Sequence, residues 1–252
     1  MPVPLSSKRN RGGFQKEKEF LEAAHQFLVN HRASDPLWPD AYAEMIAKYA
    51  DLLNDAEKIT AAGDLSYKRL IKAKEEIETL NKEMYHLAVY DSLTQIYNRH
   101  YLMDQLTKEF AKASRYLTPL ALIMMDLDFF KAINDEFGHQ AGDKVLSTLA
   151  SRLKKEIRQQ DTLGRYGGEE FLLILPGIDI HQATRVAQKM LELTSNKAFS
   201  FEKNQIPVTL SIGVAALHSS CANAEALLKN ADRALYKAKN QGRNQLVLAP
   251  LD

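Results

Sequence analysis

A single cysteine, no long hydrophobic run and almost no excess of either charge bound what the 252-residue sequence can be. With Cys221 alone, no intramolecular disulfide can form, which suits a reducing compartment. The longest apolar runs, Leu120 to Met125 and Phe171 to Leu175, fall far short of the ~20 residues that cross a bilayer, so no membrane insertion is expected. A formal net charge of +1 supplies no bulk field to draw in nucleic acid or an anionic membrane. Lys8, Arg9 and Arg11 near the start read as a solvated tail. No apolar core follows them, so no secretory signal is read and a cytoplasmic location is expected. What is present is ample core material, with 45% hydrophobic and 26% charged residues. The length allows one large domain, or an ordinary one with an accessory segment.

Residues 1–15 hold Pro2, Pro4, Gly12 and Gly13 without periodicity and read as a flexible tail. From Lys16 onward Phe20, Ala24, Phe27, Leu28 and His31 recur on one helix face. The stretch Ser34-Asp35-Pro36-Leu37-Trp38-Pro39 breaks that helix. A second helix starts near Pro39, with a stripe of Tyr42, Met45, Ile46, Tyr49, Leu52, Leu53, Ala56 and Ile59. Gly63-Asp64 is expected to interrupt it. Beyond, Leu70, Ile77 and Met84 alternate with Ala73, Leu80 and Leu87 over about three heptads, with Glu78 and Lys82 on the polar side. A parallel coiled-coil stalk is expected there, although one amphipathic helix packed on its own domain would show the same stripe. The expected division is a tail at 1–15, a helical regulatory or dimerisation region at 16–62, a stalk at 63–88 and a C-terminal domain at 89–252.

In that last part strands and helices mix. The run Leu120 to Met125 leads into Asp126-Leu127-Asp128, then a helix with a break at Gly138-His139-Gln140-Ala141-Gly142, then an amphipathic helix from Lys144 to Ile157. Thr162 to Tyr166 and Phe171 to Leu175 flank Gly167-Gly168 in the manner of a hairpin. A helix near 180–194, a strand over 208–217, a helix over 224–239 and a short strand over 245–248 complete the pattern. An antiparallel hairpin within such a mixture favours a sheet with helices packed on it.

Asp126 and Asp128 stand at the end of a buried strand, where residues two apart share a face. Carboxylates are costly to bury unless paired or bound to a cation. Phe129, Phe130 and Lys131 open the next helix, whose free N–H groups and lysine attract phosphate. Glu169 and Glu170 follow the Gly-Gly turn, whose glycines suit a positive φ or close approach of a ligand. Taken alone, Gly-Gly-Glu-Glu reads first as an exposed polar turn. Arg165 before it and the apolar run after it root the tip in a core, and a neighbouring strand ending in Asp126 would bring Asp126 to Glu169. Magnesium binds through one or two carboxylates plus phosphates and water, so the pattern points to a metal-bound polyphosphate.

Three segments carry a resemblance: Asp126-Leu-Asp-Phe-Phe-Lys131-Ala-Ile-Asn134-Asp, Gly138-His-Gln-Ala-Gly-Asp143, and Arg165-Tyr-Gly-Gly-Glu-Glu-Phe171. With Asp91-Ser-Leu-Thr-Gln-Ile-Tyr-Asn98-Arg99 before them and Ala231-Asp-Arg-Ala-Leu-Tyr-Lys-Ala-Lys239-Asn-Gln-Gly-Arg243-Asn after, they resemble the GGDEF family of diguanylate cyclases in its GGEEF form. The resemblance runs from about residue 88 to 248. It implies an α/β (α+β) core, a palm-like nucleotidyl-cyclase sheet flanked by helices, preceded here by an all-helical N-terminal segment with a coiled-coil stalk. It implies an enzyme, a nucleotidyltransferase that condenses two GTP into cyclic di-GMP and pyrophosphate with Mg2+, for which Mn2+ can substitute.

By that resemblance Asp126 and Glu169 are magnesium ligands, assisted by the Leu127 carbonyl, while Glu170 ligates a second ion or helps to deprotonate the 3′-hydroxyl. Phe129 and Phe130 belong to the substrate site, Asn134 and Asp143 read the guanine edge, and Lys131, Lys239 and Arg243 hold phosphates. Lys131 also serves the chemistry. Lys239 and Arg243 lie four apart on a helix end, where a solvated basic terminus is the plain alternative. Arg158-Gln-Gln-Asp161 matches the family's inhibitory site for cyclic di-GMP, an i,i+3 salt bridge being the alternative. Two half-sites must face one another, so a homodimer is expected, with the heptads setting its geometry. Self-packing, dimer contacts or docking of a regulatory protein would each use the N-terminal stripes. The competing reading is an inactive GGDEF domain that binds cyclic di-GMP and signals by contact.

Overall fold

The computed structural model describes residues 14–31 and 39–250. The tail through residue 13, with Lys8, Arg9 and Arg11, and the Ser34–Trp38 part of the expected break lie outside those residues. Two compact units divide the chain, one ending at Leu80 and the other beginning at Asn81.

The first unit is helical. α1 spans Gln15–His31 and α2 spans Pro39–Val89, a single helix of 51 residues whose later turns belong to the second unit. Proline suits the first helical position, because the N–H it lacks has no partner there. Ile46 and Leu53 are buried among the described residues of this unit, and Lys18 pairs with Glu57 at 2.6 Å. The expected interruption at Gly63-Asp64 is absent, and α2 runs through it. A single glycine in a helix costs about 1 kcal/mol relative to alanine, too little to open a helix this long. The stripes on either side therefore share one frame, since Tyr42 and Leu70 are 28 residues, four heptads, apart. No helix among the described residues is long and apolar enough to cross a membrane.

The second unit is a five-stranded sheet with helices on both faces. After α2 come α3 (Arg99–Tyr116), β1 (Leu120–Leu127), α4 (Phe130–Phe137) and α5 (His139–Glu156). The hairpin strands β2 (Thr162–Arg165) and β3 (Glu170–Pro176) are followed by α6 (Ile180–Ser195) and a small separate hairpin, β4 (Phe199–Phe201) and β5 (Asn204–Ile206). β6 (Leu210–Ala216), α7 (Ala224–Asn240) and β7 (Gln245–Leu248) end it. The sheet order is β2-β3-β1-β6-β7, with β1 antiparallel to β3 and β6, and β7 parallel to β6.

β1 is buried at all eight positions, so its alternating side chains feed two cores. Ile123, Met125 and Leu127 pack with Val145, Leu149 and Met190 of α5 and α6. Leu120, Leu122 and Met124 pack with Leu102, Leu106, Leu227 and Leu235 of α3 and α7. Asp126 continues the second set, which aims it at the face covered by α7.

Two elements were not expected: α3, capped by Asn98 accepting from the Tyr101 N–H, and the β4–β5 hairpin. The helix expected from Lys144 already begins at His139, because the break is one residue wide, Gly138 at φ +84°. α7 lies directly on β6, and a Cβ on Gly213 would strike the Ala231 carbonyl and the Leu235 backbone. Gly213→Ala is therefore expected to destabilise the protein by about 1–3 kcal/mol, read as a lowered urea midpoint without a changed slope.

Candidate active site

Antiparallel pairing of β1 with β3 sets Asp126 opposite Glu170, and the Leu127 N–H reaches the Glu169 carbonyl at 3.4 Å. From the last turn of α7, Lys239 Nζ meets Asp126 Oδ2 at 2.8 Å. Asp126 is only 4% exposed. Burial pushes its carboxyl above the ordinary range, Lys239 pulls it back, and the Asp128 charge pushes up again. Glu169 and Glu170 are raised too, by burial first and then by the Asp126 charge, with Lys239 opposing. Three acids all raised by burial, two of them also by the Asp126 charge, make a site short of positive charge. Among the described residues no three His, Cys, Asp or Glu side chains converge to cage an ion unaided. That fits a cation held by one or two carboxylates plus the oxygens of a ligand.

The Gly-Gly turn is anchored at its base. Tyr166 and Gly167 donate backbone N–H bonds to the Glu170 carbonyl. Neither Gly167 nor Gly168 adopts the positive φ expected of them. Gly167 is needed for space, because a Cβ there would collide with the Glu170 carboxylate. Arg165 donates through Nε and Nη2 to the Gly168 carbonyl at 3.0 and 2.7 Å, and through Nη1 to both oxygens of Asp91. Asp91 also accepts from the amide and hydroxyl of Thr94. Burial raises the Asp91 carboxyl, but the Thr94 bonds and Arg165 outweigh this and hold it below the ordinary range. Arg99 stacks on Tyr166 at 4.6 Å, and its charge favours ionised Glu170 while Asp232 disfavours it.

On the other side of Asp126, Phe129 takes a left-handed conformation (φ +57°) ahead of α4. Lys131 is exposed on the first turn, and Phe130 is buried in the core with its ring edge near Gly142. Gly142 also leaves room for the Asn134 amide, which a Cβ would strike, and exposed Asp143 follows it. Asn134 thus lies against Gly142, the residue before Asp143, at the α4–α5 junction.

Asp128 does not share a strand face with Asp126, since β1 ends at Leu127. Its carboxylate accepts from Thr209 Oγ1, Ser211 Oγ and the Asn244 N–H. Arg243 lies with its guanidinium 4.7 Å from the Phe129 ring. A groove of about 600 Å³ runs from Glu170 along α7, lined by Asp232, Arg233, Lys237 and Lys239 but by neither Asn134 nor Asp143.

Arg158 and Asp161 lie elsewhere, at the end of α5. The Arg158 N–H donates to Asp161 Oδ2 at 2.9 Å, no ion pair closes between the side chains, and buried Oδ1 has no partner. A cavity of about 250 Å³ there is also lined by Tyr90, Tyr97 and Lys154. Tyr90 and Tyr97 belong to a ladder of stacked rings, His86–Tyr90–Tyr97–Tyr101, at 4.7, 5.1 and 4.2 Å.

Sequence reasoning did not single out Asp91, Arg99 and Asp232 as neighbours of the turn. For Asp91 a local signal was available, an aspartate three residues before Thr94, the spacing of a side-chain-capped turn.

The family described as "Diguanylate cyclase, GGDEF domain" matches residues 88–245. The response regulator PleD of Caulobacter vibrioides is 40% identical over 185 residues, 71% of this chain and 41% of that protein. The chain thus spans about two fifths of that curated relative's length. Among solved structures, the coiled coil and GGDEF domain of DgcB from Caulobacter crescentus, in complex with c-di-GMP, has a TM-score of 0.66 at 28% identity, covering 72% of this chain and 97% of that one. Diguanylate cyclase SiaD from Pseudomonas aeruginosa, in complex with its activator SiaC, has a TM-score of 0.63 at 27% identity, covering 93% of this chain and 100% of that one.

Arg165→Ala is expected to lower stability by about 1–3 kcal/mol, seen by chemical denaturation. It also removes one cause of the low Asp91 value, so NMR titration should show that carboxyl moving up towards its ordinary value, the Thr94 bonds still holding it down in part. In the unaltered protein the Asp91 contribution is present above that ordinary value and lost as pH falls through the lowered one.

Proposed function

Because the chain belongs to the GGDEF diguanylate cyclase family, we propose that residues 89–252 form an active cyclase domain, which condenses two GTP into cyclic di-GMP with release of pyrophosphate. The observation that carries this reading is the pairing of Asp126 with Glu170 across β1 and β3, Glu169 standing next to Glu170, with Lys239 at 2.8 Å from Asp126. Asp126, Glu169 and the Leu127 carbonyl would hold Mg2+, with Glu170 completing the acidic group. A magnesium ion bound there neutralises phosphate charge and lowers the pKa of a coordinated hydroxyl. Lys239, Arg243 and Lys131 grip the phosphates from α7, its following turn and α4. Asn134 and Asp143 offer an amide and a carboxylate to the guanine edge, acceptor for donor and donor for acceptor. Catalysis then rests on positioning and charge, as in other phosphoryl and nucleotidyl transfers.

A domain that holds one GTP makes a product of two only when a second copy faces it, so the active species is a homodimer. Supporting this, Leu70, Ile77, Leu80, Met84 and Leu87 of α2 are each more than half exposed, a stripe that a second helix would cover. Arg158 and the unpartnered Asp161 Oδ1 beside their cavity suit feedback by cyclic di-GMP, arginine for phosphate and carboxylate for guanine N–H groups. An inactive binder would need only this second site, and the intact acidic group favours the enzyme. The likeness to SiaD reaches about a fifth further along this chain than the likeness to the DgcB coiled coil and GGDEF domain, 93% against 72%. It thereby takes in N-terminal helices, and we assign those helices to the docking of a regulatory protein.

Purified full-length protein with GTP and Mg2+ is expected to yield cyclic di-GMP, and Glu169→Ala to lose about 100-fold or more of that rate. No product at concentrations favouring the dimer would sink the cyclase reading. Ile77→Asp combined with Leu80→Asp is expected to cut activity per chain at low protein concentration and restore it partly at high concentration. Unchanged activity would refute the role of the stripe.

A further inference from the structure

Asp126 and Asp128 are the two buried carboxylates among the described residues, and the proposed reaction uses only the first. Asp128 is not free to act on a ligand. Ser211 Oγ donates to its Oδ1 at 2.6 Å, while Thr209 Oγ1 and the Asn244 N–H donate to Oδ2 at 2.7 and 3.0 Å. Its own N–H donates to the Thr209 carbonyl at 3.0 Å. One residue at the end of β1 is thus tied to the start of β6 and to the turn between α7 and β7.

That turn is an unusual one to hold. Gly242, Arg243 and Asn244 follow one another with φ of +115°, +62° and +45°. Left-handed backbone is unfavourable for side-chain-bearing residues and persists only where the surroundings fix it. The Arg243 N–H is fixed by the Ala238 carbonyl at 3.1 Å, and the Asn244 N–H by Asp128. The residue after Asp128 and the residue before Asn244 are also in contact, Phe129 carrying the Arg243 guanidinium 4.7 Å above its ring. Two adjacent links, 128 to 244 and 129 to 243, therefore join the β1–α4 turn to the end of α7. Four residues back along α7, Lys239 makes its ion pair with Asp126.

We propose that Asp128 is a positioning residue, which fixes the α7–β7 turn so that Arg243 meets the phosphates of the nucleotide held beside Asp126, and that it is not a metal ligand. The inference rests on the reading of this site as one for GTP. An acid is the suitable side chain, because three donors converge on it from three segments and only a carboxylate accepts on both oxygens without offering a donor in return.

The test is a double-mutant cycle on the full chain, reading the dissociation constant of a GTP analogue with a methylene bridge between its α and β phosphorus atoms, in Mg2+. Arg243→Ala is expected to weaken binding by about tenfold or more. Asp128→Ala should weaken it to a similar extent, and the double variant should match Arg243→Ala within about twofold. In steady-state assays the Asp128→Ala loss should appear in KM for GTP rather than in kcat. Ser211→Ala removes one donor from the clamp and should give a smaller loss that vanishes in the Arg243→Ala background, which keeps the test decisive if Asp128→Ala does not fold. Losses that multiply in the double variant would overturn the proposal. So would a raised Mg2+ requirement in Asp128→Ala that Arg243→Ala does not share. A chain that shows the coupling yet makes no cyclic di-GMP would sink the cyclase reading and leave the clamp standing; product formation with multiplying losses would do the reverse.

Discussion

Asp126 is a carboxylate at the end of a strand that is buried along its whole length, and Glu169 and Glu170 are set beside it by the register of the next strand. Burying one such charge is costly, and setting Glu169 and Glu170 near it is costlier because the Asp126 charge raises both. Lys239 offsets part of this, which requires α7 to end where its last turn overhangs the strand. Much of the second unit's architecture serves that requirement. Gly213 lets α7 settle on β6, the alternation of β1 turns Asp126 towards α7, and antiparallel pairing presents the acids at one edge.

The turn that carries Glu169 is held from a different direction. Arg165 joins its backbone to Asp91, which lies just beyond the end of α2 and is itself fixed by Thr94. The stacked rings from His86 to Tyr101 cover the same junction, and Tyr90 and Tyr97 within them line the cavity at Arg158 and Asp161. The end of the long helix, the acidic turn and the second cavity are therefore neighbours through a few hydrogen bonds and ring contacts, with no long-range path needed to connect them.

Where a segment's own pattern decides its structure, the sequence was readable. The hairpin around Gly167-Gly168, β6, α6, α7 and β7 fall close to where periodicity and turn residues put them. α3 escaped because its buried residues are few, Leu102, Leu106 and Ala113, and its main start signal is the single Asn98 cap. β4 and β5 are three residues each and lean on Phe199 and Ile206, which become core only after folding. Gly63 looked like a boundary because glycine weakens helices locally, while the cost is spread over a helix of 51 residues. At the site, residue types and their order pointed to the acids and the basic residues. The partners of Asp128 were not legible, because Thr209, Ser211 and Asn244 lie some 80 to 116 positions away and only the sheet order brings them in.

The unbroken course of α2 has a geometric consequence for any pairing of two such helices. A seven-residue repeat on a straight helix drifts by about 20° per heptad. From Tyr42 to Leu87, a span of 45 residues, the shared frame drifts through more than a quarter turn. Two copies can keep that stripe between them only by winding into a left-handed supercoil, and the Gly63 and Ser66 layer, which has little to bury, is where winding is least enforced.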